Sequence, residues 1–295
     1  MDHKRQHWIP QGYLKAWCDP DAPDDQEPYV WQFTADGRSS RKKAPKKIFF
    51  ESELYTLNPE GGGRDLGVEH SLASLEGRFV SIREQKLFTG TALTVEEHVE
   101  VCAFMAVMHS RTPYQIDHIR SEWESVSEMG RRFQSAIDSG LRVPTSLPGT
   151  GPSLSLEQVQ ELATAQRGEF VWPLVRSQLP VLTRMNLSVL TTEDPVGFIK
   201  SDAPCAWFDP QAYLRPPHMQ SPALAYETVE ITLPTSPSQM LTLTWRLQPG
   251  RIPIEQRMLA EMNRRTRFYA QEHFIVRRNL IKPEWFIVQR PPEAG

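Results

Sequence analysis

Residues 229–246, VEITLPTSPSQMLTLTWR, decide the fold class of this 295-residue chain. The two ends, VEITLP and MLTLTWR, carry β-branched and apolar residues at strand spacing, and Ser236-Pro237-Ser238 suits a turn between them. The stretch predicts two antiparallel strands. Working back toward residue 186, LSVLTT and VGFIKS are two further strand candidates. Working forward, IPIEQRMLAEMNRRTRFYAQ predicts an amphipathic helix entered through Pro253, with HFIVRR and EWFIVQ as final strands.

The first half has a different texture. Residues 11–17 predict a short helix after Pro10, and YVWQFT, KIFF and ELYTL predict short strands. From about Gly67 the period becomes helical, with Leu72, Leu75, Phe79 and Ile82 on one face. Thr94 opens a second helix with Glu96 and Glu97 in its first turn, and its nearly all-apolar run VEVCAFMAVMH predicts burial on most sides. Arg111-Thr112-Pro113 should kink or end that helix, and a polar helix then runs to about Ser139. The Pro/Gly/Ser-rich segment 141–153 is the best internal boundary, and Ser155 caps the helix after it. Together these features predict an α+β fold: a helix-rich first half packed on a mostly antiparallel sheet built from N-terminal and C-terminal strands.

Composition narrows the function classes. The 25 prolines exclude a long coiled coil, and no apolar run approaches the ~18 residues a membrane helix needs. Three widely spaced cysteines fit reduced thiols, and the N-terminus lacks an apolar signal core, so the expected location is cytoplasmic. The net charge of −3 predicts no polyanion partner by itself, but its distribution is uneven. Residues 38–47, RSSRKKAPKK, hold six basic groups and no acid, and residues 246–295 hold 10 basic against five acidic groups. Either a solvated loop and helix face, or a phosphate-backbone contact through Arg41, Lys42, Lys43 and the C-terminal arginines, fits that pattern.

Phosphate-loop, dinucleotide, zinc-protease, nucleophile-elbow and paired-CxxC signatures are absent, so no cofactor is identified and no metal site is assigned. His3 and His7 have helical metal-pair spacing, but Pro10 follows too closely for a regular helix. His98 and His109 could share one helix face. Glu69 and Glu76 share a face two turns apart, either as a solvated stripe or with each meeting a partner from elsewhere. Ser201-Asp202-Ala203-Pro204 ends a strand candidate, where it either makes a turn or projects side chains into a site.

Several segments then fall into a known order. His7-Trp8-Ile9-Pro10-Gln11-Gly12-Tyr13-Leu14-Lys15-Ala16-Trp17 resembles the opening signature H-x-[IV]-P-Q-x-Y-L-[RK]-x-[FW] of the domain of unknown function 4238 family. The resemblance continues at residues 53–56, 75–76, 109–113, 198–204 and 231–237, and closes at Asn263. It implies one integrated unit over the whole chain and no established activity. The polar members of these apolar signatures are His7, Gln11, Arg111, Ser201, Asp202 and Asn263. If they converge in a cleft, His7 could move a proton, Asp202 orient it and Arg111 stabilise phosphate charge, with Gln11, Tyr13, Ser201 and Asn263 binding substrate. That reading is a nuclease, as a toxin or phage-defence effector. Alternatives are a non-enzymatic binding protein whose polar network is structural, with a Trp-rich surface for a protein partner, or a hydrolase or transferase acting on a small molecule or peptide.

Overall fold

The computed structural model describes residues 5–59, 62–140 and 154–287. The expected boundary at 141–153 and His3 lie outside them. Among the described residues seven helices pack with three sheets, in the α+β arrangement expected.

The helices are α1 (Gln11–Leu14), α2 (Gly67–Ile82), α3 (Val95–Ser110), α4 (Pro113–Asp138), α5 (Leu156–Thr164), α6 (Arg167–Leu182) and α7 (Gln256–Tyr269). Their ends follow local chemistry. Thr94 Oγ1 accepts the Glu97 N–H at 3.2 Å while the Glu97 carboxylate accepts the Thr94 N–H at 2.7 Å, closing a capping box on α3. Pro113 ends α3 and starts α4, with Thr112 as its cap, because a proline N–H is not needed in a first helical turn. α3 lies between α2 and α6 and buries Val101, Phe104, Met105, Val107 and Met108.

The strands are β1 (Arg5–His7), β2 (Val30–Thr34), β3 (Ser40–Lys43), β4 (Phe50–Ser52), β5 (Asn186–Thr191), β6 (Lys200–Ser201), β7 (Ala206–Phe208), β8 (Glu230–Ser236), β9 (Gln239–Thr244), β10 (Gly250–Pro253) and β11 (His273–Val276). One sheet has the order β10-β5-β9-β8-β7, antiparallel except for the β10–β5 pair. A second, β3-β2-β11-β6, is antiparallel throughout and interleaves N-terminal with C-terminal strands. β1 and β4 form a small ribbon of their own.

Three expectations are corrected. ELYTL is a turn, because Glu53 takes φ +58° and the chain reverses through Thr56 N–H to Glu53 O. EWFIVQ begins as a short 3-10 turn, Pro283–Phe286, whose Trp285 is fully buried. KIFF is strand only at Phe50, because Lys47 ends a 3-10 turn and Phe49 takes φ +56°. Trp17 and Trp285 are buried, and the other six tryptophans are half-buried.

The opening signature is core. Ile9, Tyr13, Leu14 and Trp17 are at most 1% exposed and share one cluster with Phe79, Phe104, Ile231, Leu233 and Ile275. Phe79 stacks on Phe104 at 3.7 Å, and the Tyr13 ring packs on both. Trp17 Nε1 donates to Phe198 O at 2.8 Å and the Tyr13 hydroxyl donates to Pro234 O, so the chain's beginning is bonded to its last third.

Candidate functional site

β1 is three residues long and could not hold itself in place. A buried network holds it. Arg111, 2% exposed at the α3 end, spends all three guanidinium nitrogens there: Nη2 donates to His7 O, Nη1 to Glu76 Oε1 at 2.5 Å, and Nε to the Tyr55 hydroxyl at 3.3 Å. That hydroxyl donates back to Arg111 O at 2.7 Å, and burial pushes its pKa up to about 12. Next along β1, buried Gln6 donates to Thr56 Oγ1 and Glu69 Oε2 and accepts the Tyr55 N–H. Glu69 and Glu76 thus each meet a partner from another segment, the second of their two sequence readings. The His7 imidazole leans on Phe50 at 5.4 Å, and its Nε2 is buried with no hydrogen bond among the described residues. Burial lowers its pKa, Arg111 and Arg5 lower it further, and a Lys46 backbone contact acts the other way.

Asp202 makes a second clamp. Its carboxylate accepts the N–H groups of Gln271, Glu272 and His273, each at 2.8 Å, and so fixes the start of β11. Burial raises its pKa against those three bonds. Ser201 Oγ bonds Ala203 O at 2.7 Å, the local turn chemistry expected of Ser-Asp-x-Pro. Asn263, 1% exposed on α7, accepts the Ile199 N–H and donates to Gly197 O. Trp8 Nε1 donates to Asp202 O, joining this clamp to the N-terminal one.

Arg111 therefore meets His7 at the His7 carbonyl, and Asp202 is joined to that segment through the Trp8 N–H on its own carbonyl. Of His7, Arg111 and Asp202, Asp202 lines a cleft between β3 and β11 that the other two do not line. Tyr13, Ser201 and Asn263 are buried away from it, and Gln11 is exposed on α1.

That cleft, about 500 Å³, lies between β3, the β4 approach and the start of β11. Period-2 alternation along the edge strand β3 turns Arg41 and Lys43 into it, whereas Lys42 lies over the Tyr29 and Trp31 rings at 4.5 and 5.3 Å. Lys47, Trp8, Phe49, Phe50, Glu272 and His273 complete its main walls. Arg41, Lys43 and Lys47 have no salt bridge among the described residues, whereas Lys46 is paired with Glu27 at 2.5 Å. Phe49 sits at φ +56°, a left-handed conformation that costs a bulky residue ~1–3 kcal/mol and tends to occur at functional sites. Its buried ring against Trp8, 5.7 Å away, and the Trp8 N–H to Phe49 O bond hold it there. Sequence reading missed Trp8, Lys47, Phe49 and His273. The basic run was the available signal for Lys47, and nothing local announces the other three.

The C-terminal arginines stand apart. Arg264 and Arg265 pair with Glu261, Arg265 also with Glu230, and Arg278 with Asp21, and none of them lines the cleft. His98 bonds Thr183 O, and His109 packs on Trp207 at 4.2 Å. Among the described residues no group of three or more His, Cys, Asp or Glu side chains could hold a metal ion, and no helix is long and apolar enough to cross a membrane.

No curated protein and no solved structure matches this chain. A family model, described as a protein of unknown function (DUF4238), matches residues 5–279. Its span takes in the Arg111 latch, the Asp202 clamp and the basic cleft they support, and the chain belongs to the DUF4238 family.

Proposed function

We propose that this protein binds single-stranded nucleic acid in the β3 cleft, and that the His7–Arg111–Asp202 network positions the cleft walls and takes no part in a reaction. The observation that carries this is the cleft's composition: Arg41, Lys43 and Lys47 free of ion pairs among the described residues, beside the half-buried rings of Trp8 and Phe50. Cations that track a backbone, together with rings that bases can stack on, are what sequence-tolerant single-strand binding uses. Asp202 adds little repulsion at close range, because three N–H groups already occupy its oxygens.

Fluorescence anisotropy with labelled oligo-dT and oligo-U tests the reading. The wild type should bind both with salt-sensitive affinity, and the triple variant R41Q/K43Q/K47Q should lose most of it. Wild-type affinity in that variant, at unchanged melting temperature, would overturn the proposal.

A hydrolytic version rests on one further observation. His273 stands in the same cleft with a half-exposed ring, its Nδ1 3.7 Å from Glu272 Oε2, where an imidazole could pass a proton to or from a phosphodiester. A toxin or phage-defence role requires this version. Labelled RNA and DNA left intact by the wild type across several divalent metals would remove it, as would equal cleavage by His273→Ala.

A further inference from the structure

A second cavity, about 370 Å³ and sharing no lining residue with the cleft, is built from four separate segments. Lys15 and Ala16 come from the turn after α1, Arg83, Glu84 and Phe88 from the turn after α2, Ser236–Ser238 from the β8–β9 turn, and Arg277 follows β11. Three cations thus face one carboxylate.

The Arg83 side chain is only 6% exposed. Its Nε and Nη2 both go to Glu84 Oε1, at 3.1 and 2.9 Å, while Nη1 is buried with no hydrogen-bond partner among the described residues. Arg277 Nε is in the same condition. A buried charged donor without an acceptor is costly, and an anion in the cavity would remove that cost.

The walls are rigid. The α2 end widens into a π-turn, Arg83–Leu87, closed by Phe88 N–H to Arg83 O at 2.9 Å, and such turns are frequent at functional sites. Leu87 O accepts from Gln239 Nε2 at 3.1 Å and Arg251 Nη1 at 2.8 Å, tying this turn to the strands opposite. Across the cavity, Ser236 Oγ accepts the Ser238 N–H, and Pro237 O accepts the Phe198 N–H at 2.7 Å. Gly197, at φ +68°, allows that approach, since a Cβ there would collide with Pro237 O.

We propose that this cavity binds the phosphoryl group of a small phosphomonoester, held by Arg83, Arg277 and Lys15, with one hydroxyl of the Ser236–Ser238 pair, whose oxygens bond each other at 3.1 Å, as a further donor. Cations and a hydroxyl arriving from four segments suit a tetrahedral dianion, whereas a planar carboxylate needs only one guanidinium fork. The site is independent of the nucleic-acid reading.

Isothermal titration of the full chain with inorganic phosphate and with ribose 5-phosphate, at fixed ionic strength, tests it. The wild type should bind both, the ester more tightly. Arg277→Gln and Lys15→Gln, partly or fully exposed positions that should fold normally, should each weaken binding about tenfold, the effect of losing one charge-assisted contact. Arg83→Gln should abolish binding, and if that variant fails to fold the other two still decide. Absence of phosphate binding by the wild type, unchanged binding in Arg277→Gln and Lys15→Gln, or equally tight binding of acetate would each overturn the proposal. R41Q/K43Q/K47Q should titrate like the wild type.

Discussion

At the residue scale the sharpest physical anomaly is Lys200. It is fully buried in β6, its Nζ makes no hydrogen bond among the described residues, and it lies 3.3 Å from the Tyr13 ring centroid and 5.4 Å from that of Trp17. Burial holds its amine well below the ordinary lysine value, while Cys205 nearby and the two ring faces favour the charged form and offset part of that shift. An unfolded lysine is protonated below its ordinary value near 10.5, so the folded state binds fewer protons and stability should climb as pH rises toward that value. Lys200→Met should therefore be more stable than the wild type at pH 7, because it removes a buried amine that the unfolded chain keeps protonated. It should also lose the alkaline rise, which urea melts of both proteins at pH 7 and 9.5 would show. His109 has the same sign in another window. Burial lowers it from 6.5 to about 4, so its neutral form costs nothing above pH 6.5, and stability is lost between 6.5 and about 4 as the unfolded chain takes up the proton. His109→Gln should flatten that part of the acid denaturation curve.

At the element scale the N-terminal ribbon and the edge strand are the two pieces whose behaviour depends on single side chains. Removing one partner of a buried ion pair strands the other. Arg111→Met should cost about 3 kcal/mol, the low end for such losses because Glu76 retains some solvent. The loss should appear as a lower melting temperature and as faster amide exchange in β1 and β4 than in α3. For β3, alternation separates two roles. Lys43→Gln should shallow the log-affinity against log-salt slope for single strands by about 0.7, one phosphate contact, and Lys42→Gln, over its aromatic pair, should leave it unchanged. If Lys42→Gln has the larger effect, the strand is turned the other way toward its ligand.

At the scale of the whole molecule, the N-terminal signature and the C-terminal strands are one packing unit. Trp17 bonds a carbonyl 181 residues away and Tyr13 one 221 residues away, so the core cannot close until distant segments have met. Such non-local closure predicts slow folding relative to a helical protein of similar size. The same wiring explains why polar residues stand inside apolar signatures. Arg111, Asp202 and Asn263 each satisfy backbone groups that irregular segments leave unpaired.

Sequence by itself determined the elements whose signal is local. The 3.6-residue period of α2, the apolar run of α3 with its cap at Thr94, the break at Pro113 and the paired strands around Ser236–Ser238 are all decided within a few residues of chain. It also marked residues 38–47 as the basic segment, though not which of its cations face a cleft. Tertiary structure alone decided the rest. Glu53 at φ +58° turns a strand-like run back on itself, Trp285 is taken into a core instead of a strand, and Arg83 is left buried with a free donor. The physical reason is range. Periodicity and capping are set by neighbours along the chain, whereas burial, pairing and unmatched charge depend on which distant segments finally touch.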